Sequence, residues 1–375
     1  MKYPLAISSW DEKEYQAVLR VLATGRFTMG DEVREFERQF ANYVGSKHAV
    51  MVNSGSSANL LAVAALSLGG KRGRVIVPAI GWPTTYSPLQ QHGYSLVVVD
   101  VDDTFCLDVG QVLEALRTFD DIVGIVVVNL LGCPADLFAL REIADTRKLF
   151  LVEDSCESLG ATLGGQHTGT IGDIGTYSFF YSHHITTMEG GMAVTNGDDI
   201  AKLMRMMRAH GWTRDTEPSR RFEDMYKFIV PGYNLRPTEI QAAIGIEQLQ
   251  KLPSLLVHRR ANAAHFVEGM RAIPGFGVQA TRGESSWFGF ALIVEQVERS
   301  VVVSDLALHE IESRPIVGGH FGRHPAAAYY EHKSLGTLKK ATALHDRGIY
   351  VGNYGKDNKD LISGLHSRLV LAAVP

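Results

Sequence analysis

The 375-residue chain carries 37 basic and 41 acidic side chains, a formal net charge of −4, with 45% hydrophobic and 21% charged residues. That is enough apolar material for a substantial core, in a chain longer than one core usually serves, so two domains are expected. The near balance of charge, without any Lys/Arg block, gives no electrostatic basis for binding nucleic acid or a membrane surface.

The N-terminus, Met1-Lys2-Tyr3-Pro4-Leu5, lacks a signal-type apolar region, and no apolar run reaches the roughly 18 residues of a membrane span, so a cytoplasmic protein is expected. Cys106, Cys133 and Cys156 are scattered and odd in number, which argues against a disulfide framework and against an iron–sulfur centre.

In chain order, a helix over 57–67 is followed by strands over 74–78 and 96–101, a helix over 109–119, a strand over 122–129, a helix over 136–146, and strands over 149–153, 176–180 and 191–195. This alternation predicts an α/β fold with a largely parallel sheet. The unbroken apolar run 122–128 predicts a strand buried on both faces. Beyond about residue 251 a long helical pattern runs to Met270, a strand pattern spans 287–294 and a helix 303–312. The expected division is therefore 1–250 for the N-terminal segment and a large domain, and 251–375 for a smaller α+β domain. The polar stretch 213–223 is the best candidate for a mobile loop.

Four segments offer ligand-binding groups, and two of them, at Asp154 and Trp82, follow expected strands, where α/β folds place ligands. Gly55 and Ser56 precede an apolar helix and can offer an N–H and a hydroxyl to a phosphate, although Ser54 there also reads as a plain helix cap. Asp154, in Glu153-Asp154-Ser155-Cys156-Glu157-Ser158, can hold a pyridinium nitrogen protonated, or simply cap a helix. Trp82 can stack on a planar ring or pack in the core, and Ser178 can supply a further phosphate hydroxyl or be ordinary strand polarity.

The 149–201 stretch contains no lysine. Within it, Tyr181-Ser182-His183-His184-Ile185-Thr186-Thr187-Met188-Glu189-Gly190-Gly191 puts His183 where a sugar aminotransferase carries its Schiff-base lysine. An imidazole moves protons but forms no stable Schiff base, so the cofactor is expected to be held noncovalently. Read blandly, His183-His184 is a surface or metal-binding pair, but no third ligand follows at a usable spacing, and no metal is expected. Neighbours in an extended segment face opposite ways, which leaves His184 open between packing and substrate contact.

Together with Pro231-Gly232-Tyr233-Asn234-Leu235-Arg236, these segments resemble the nucleotide-sugar aminotransferases of the DegT/DnrJ/EryC1/StrS type over nearly the whole chain. The histidine, with Phe27-Thr28-Met29-Gly30, the stretch from Arg208 to Arg214, the segment around Trp287 and Arg314-Pro315-Ile316-Val317, is similar to the branch that removes a sugar 3-hydroxyl. The resemblance implies a fold type I PLP-dependent aminotransferase architecture with a mostly parallel seven-stranded sheet. It further implies pyridoxal 5′-phosphate/pyridoxamine 5′-phosphate as cofactor, L-glutamate and a guanine-nucleotide-linked 4-keto-6-deoxyhexose as substrates, and a dideoxysugar of lipopolysaccharide O-antigen as the destination.

By the same resemblance, His183 is the catalytic base, Asp154 pairs with the pyridine nitrogen and Trp82 stacks on the ring. Gly55, Ser56 and Ser178 bind the phosphate, Glu157 lies near the cofactor ring's 3-hydroxyl, and Asn234 reaches the phosphate of the neighbouring subunit in a homodimer with shared sites. Thr28, Met29, Ser182, His184, His210, Arg214, Trp287 and Arg314 are candidates for contact with sugar, nucleotide or glutamate. Two rival functions stay open: a nucleotide-sugar 4-aminotransferase, which needs the missing lysine, and a non-catalytic binder of the same fold.

Overall fold

The computed structural model describes residues 2–70, 72–214, 216 and 221–372. Two helices open the chain, α1 (Glu12–Thr24) and α2 (Asp31–Val44). Asp11 and Glu14 form a reciprocal capping box on α1. The N-cap of α2 is Gly30, which has no side chain to offer; Glu239 supplies the missing acceptor, taking the N–H groups of Gly30, Glu32 and Val33.

Strand and helix then alternate: β1 (His48–Val52), α3 (Gly55–Ser67), β2 (Arg74–Pro78), α4 (Pro83–Gln91), β3 (Ser95–Val99), α5 (Val109–Thr118), β4 (Ile122–Val128), α6 (Leu137–Arg147) and β5 (Phe150–Asp154). A small hairpin, β6 (Thr162–Leu163) and β7 (Gln166–His167), precedes β8 (Ile174–Ser178), β9 (Gly191–Thr195) and α7 (Asp198–Arg208). The C-terminal part comprises α8 (Glu239–Met270), β10 (Phe276–Val278), β11 (Gly289–Val294), α9 (Arg299–Leu308), β12 (Ser313–Arg314), β13 (His332–Ser334), α10 (Lys339–Arg347), β14 (Gly348–Gly352) and α11 (Lys359–Ala372).

The large sheet has the order β1-β9-β8-β5-β4-β2-β3-β13, with β9 antiparallel to both its neighbours and the remaining pairs parallel. It therefore has eight strands rather than the expected seven. The extra one, β13, comes from the C-terminal part and adds in parallel to β3. Its three residues, two of them exposed, carry too little apolar periodicity to read as a strand in the sequence.

Side chains alternate across the sheet as the two-residue strand period requires. Val50, Val52 and Ala193 enter the core shared with α3, while Ala49, Met51, Met192 and Val194 enter the one shared with α2 and the first half of α8. Each fully buried aliphatic side chain there contributes about 1.5–3 kcal/mol of transfer free energy.

The second sheet, β10-β11-β14-β12, is antiparallel and packs with α9, α11 and the second half of α8 around Phe266 and Phe290, whose rings stack at 4.4 Å. Tyr3 joins this core and donates its hydroxyl hydrogen to Gly352 O at 2.7 Å. The expected division at 250/251 falls inside the continuous 32-residue α8, which at 1.5 Å per residue runs about 48 Å and serves both cores. The change of core comes between Leu256 and Ala263.

Candidate active site

The C-terminal ends of parallel strands β2, β4, β5 and β8 converge on one crevice, and each delivers a polar or aromatic group there. At the end of β5 the alternation sends Glu153 and Asp154 opposite ways. Glu153 is fully buried and accepts the N–H groups of Gly169, Ile171 and Gly172, a structural knot that holds the strand end. Asp154 accepts from Asn59 Nδ2 (2.8 Å) and Thr85 Oγ1 (2.7 Å), and Thr176 Oγ1 donates in turn to Asn59 at 2.5 Å. Its carboxylate is thus fixed in place but retains lone pairs for a further donor.

The turn before α3 faces the end of β8. A Cβ on Gly55 would lie 2.6 Å from Ser178 Cβ and 3.0 Å from Cys156 Sγ, so only glycine lets the two backbones approach this closely. Ser54 caps the helix, leaving the next N–H groups and the Ser56 hydroxyl, which bonds Thr84 at 2.7 Å, grouped at the positive end of the helix dipole. Trp82 is the N-cap of α4 and, at 56% exposure, is an unusually open tryptophan over this crevice.

Beyond β4, Leu131 takes a left-handed conformation (φ 52°) and donates its N–H to Glu157 at 2.9 Å. Burial, opposed by that bond and aided by the Asp154 charge, pushes Glu157 up to about 7. Gly132, at φ 90°, lies back to back with a second left-handed turn at Trp287 (φ 49°); a Cβ there would meet Trp287 N at 2.6 Å. Ser286 N and Phe288 N donate to Gly132 O and Leu131 O, tying the two turns together.

His183 lies in the turn after β8, its ring set edge-on against Phe180 and Phe288 at 5.9 and 5.1 Å. Its Nδ1 is buried without a hydrogen-bond partner. Burial, with the Arg259 guanidinium close by, pushes it down to about 3, so the imidazole is neutral. His184 packs on the same Phe288 ring at 5.7 Å, is 2% exposed and bonds Ser286 O at 3.2 Å; burial and Arg259 hold it far below the ordinary range. The segment from Ala6 to Asp11 crosses in front, and together with Ser182, His183, His184 and Arg259 it lines a cavity of about 300 Å³.

Gly55, Ser56, Trp82, Asp154, Glu157 and Ser178 therefore stand at the strand ends, and Ser182, His183 and His184 line the 300 Å³ cavity; the two groups are linked through Phe288, which packs on His183 and donates its N–H to Leu131, the residue that bonds Glu157. Trp287 supports the crevice from behind. Arg314 is exposed in β12 opposite Tyr350, a phenol raised by its burial and by Glu157 and lowered by Arg314.

Thr28, Met29, His210, Arg214 and Asn234 gather elsewhere. Met29 and Arg214 line a separate basic cavity of about 550 Å³ with Arg34, Arg38 and Arg205. Thr28 bridges Thr238, His210 N donates to Tyr233 O, and exposed Asn234 bridges Ala209. Residues 215 and 217–220 of the loop expected at 213–223 lie outside the described residues.

Sequence reasoning did not single out Asn59 and Thr85, which hold Asp154, or Arg259, Phe288 and Lys356 around His183. Asn59 and Thr85 lie inside motifs already noted, one helical turn or less beyond the residues chosen. Arg259 had no such signal, since Arg260 beside it looks the same in sequence, yet Arg259 is 6% exposed and donates to the carbonyls of Trp287, Phe288 and Asn353.

The crevice, its helix-end phosphate cradle, its buried carboxylate and its open tryptophan define a protein of the pyridoxal phosphate aminotransferase fold. The profile of the DegT/DnrJ/EryC1/StrS aminotransferase family matches residues 8–362, and the chain belongs to that family. It is 42% identical to GDP-4-keto-6-deoxy-D-mannose 3-dehydratase of Yersinia pseudotuberculosis, with 98% of each chain covered. It is 44% identical to the protein of the same name from Escherichia coli O55:H7, over 94% of this chain and 96% of the relative. Among solved structures, a GDP-4-keto-6-deoxymannose-3-dehydratase with a trapped PLP-glutamate geminal diamine superposes with a TM-score of 0.95 at 43% identity, covering 98% of this chain and all of the other.

Proposed function

We propose that this chain is a PLP/PMP-dependent 3-dehydratase of GDP-4-keto-6-deoxy-D-mannose that consumes L-glutamate and releases 2-oxoglutarate and ammonia. The observation that carries the reading is His183: a half-buried, neutral imidazole in the turn after β8, in a 149–201 stretch without lysine. The atoms balance: the sugar loses its 3-hydroxyl oxygen, glutamate supplies the two electrons by becoming 2-oxoglutarate, and its nitrogen leaves as ammonia.

The residues present fit the cofactor. Gly55 lets the start of α3 lie directly against Ser178, which groups helix-end N–H groups with serine hydroxyls as a phosphate needs, and Asp154 is a buried carboxylate already fixed by Asn59 and Thr85. When bound, PLP supplies an electron sink for charge developing next to nitrogen. Asp154 would keep the ring nitrogen protonated, Trp82 would cover the ring face, Gly55, Ser56 and Ser178 would hold the phosphate, and Glu157 would meet the cofactor ring's own 3-hydroxyl. His183 moves the proton at the glutamate Cα and, in the second half-reaction, the proton whose removal expels the sugar's C3 hydroxyl. Having no amine, His183 would form no covalent bond to the cofactor.

The enzyme works as a cytoplasmic homodimer. Exposed Asn234 completes the phosphate site of the partner subunit, and Thr28, Met29, His210 and Arg214, remote from His183 in their own chain, approach the partner's substrate.

Mass spectrometry of GDP- and dTDP-linked 4-keto-6-deoxy sugars incubated with enzyme, PLP and glutamate tests the reading. The expected product from the GDP sugar is lighter by one oxygen, with equimolar 2-oxoglutarate and ammonia. A 4-amino sugar, or no conversion of either nucleotide, would overturn it.

A further inference from the structure

The cavity beside His183 has an unusual charge inventory. Arg259 is almost fully buried; one terminal nitrogen of its guanidinium is spent on three backbone carbonyls, and its Nε is buried with no acceptor. At the mouth stands the exposed Lys356. Neither cation has a carboxylate partner among the described residues. The acid on the lining, Asp11, is already engaged, 2.9 Å from Lys251. A buried guanidinium without a counter-charge carries a desolvation cost that carbonyl dipoles offset only in part. Such a charge is normally met by an anion, and here none comes from the protein.

We infer that this cavity is the amino-donor site, with Arg259 holding the α-carboxylate and Lys356 the side-chain carboxylate of glutamate. The inference rests on the function proposed above and names the residues that select its donor. Two unpaired cations, one deep and one at the rim, fit a dicarboxylate better than a monoacid, and the deep one lies close to the imidazole that must reach the donor's Cα. Ser8, Ser9 and Asn353 on the walls add neutral polar groups. Burial is the larger cause of the depressed His183 and Arg259 the smaller; a carboxylate on Arg259 offsets that smaller part.

The test uses the glutamate half-reaction alone, followed as loss of PLP absorbance on the PLP-loaded protein without sugar. Lys356→Gln should raise KM for glutamate about 10-fold with kcat within about twofold. It should also cut the preference for glutamate over glutamine, which lacks the side-chain charge, by about the same factor. Arg259→Lys should keep more activity than Arg259→Gln; should both fail to fold, the Lys356 variant carries the test. Calorimetric titration of 2-oxoglutarate, which bears both carboxylates but transfers no amine, should show a parallel loss of affinity in Lys356→Gln. An unchanged glutamate KM, an unchanged glutamate-to-glutamine ratio and unchanged 2-oxoglutarate binding would overturn the assignment, as would a wild-type protein that does not process glutamate. A wild-type protein that converts PLP with glutamate but leaves the nucleotide sugar untouched would instead count against the proposed function.

Discussion

His183 and Glu157 illustrate opposite consequences of burial. The imidazole loses its charge and becomes a ready acceptor at any pH above about 3, whereas the carboxyl, pushed up to about 7, keeps its proton into the neutral range. For Glu157 the linkage has a definite sign. Between an ordinary carboxyl value near 4.5 and about 7 the folded protein holds a proton that the unfolded chain has released, so stability falls as pH rises through that window. The upper bound is about 3 kcal/mol, at about 1.4 kcal/mol per unit. Glu157→Gln keeps the acceptor for the Leu131 N–H and removes the charge. Urea unfolding of the cofactor-free variant should therefore show a smaller fall in stability between pH 5 and pH 8 than the wild type; identical pH dependence would mean that Glu157 is charged in the folded state throughout. Asp154 and His183 were legible in the sequence because a strand-end carboxylate and a histidine in a lysine-free segment are chemical signals. The elevation of Glu157 was not, since it comes from burial by segments far apart in the chain, against the opposing bond from the Leu131 N–H.

At the level of elements, the strand ends do the positioning, and the paired left-handed turns at Leu131-Gly132 and Trp287 lock them. His183 has no hydrogen-bonding partner at Nδ1 to orient it, unlike a base steered by a third polar group. Its orientation comes from ring packing against Phe180 and Phe288, and Phe288 is held by the carbonyl grip of Arg259. Phe288→Leu should lower kcat about 10- to 100-fold with little change in KM for the sugar, while Phe288→Tyr restores most of it; a fall in both variants together with loss of fold would point to simple packing instead. The parallel strands were readable because β2, β3, β4 and β5 are apolar runs between helical patterns. The polar β13, and the turns whose shape comes from contacts between distant segments, leave no periodic trace in the sequence.

Over the whole molecule, helix α8 couples the two cores, and the N-terminal strap from Ala6 to Asp11 crosses the catalytic crevice on its way from the smaller core to α1. The residues expected to meet substrate fall into two groups that do not meet within one chain. The motifs did not reveal this separation, because a linear pattern carries no information on which face of the folded chain a side chain reaches. If Asn234 completes the partner's site, mixing inactive His183→Asn with Asn234→Asp and allowing subunit exchange should restore one intact site in each mixed dimer, up to about a quarter of wild-type activity per total site when exchange is statistical. No recovery despite demonstrated exchange would place Asn234 in its own subunit's chemistry.

The central claim is that an imidazole in place of lysine at position 183 selects oxygen removal over amination. The most direct measurement is the product distribution of His183→Lys with the GDP-linked 4-keto sugar, PLP and glutamate, read by mass spectrometry alongside borohydride reduction of the protein. The expected result is covalent trapping of the cofactor on the new lysine and a sharp loss of the 3-deoxy product, with any residual turnover shifted toward 4-amino sugar. Undiminished 3-deoxy product with no covalent trapping would contradict it.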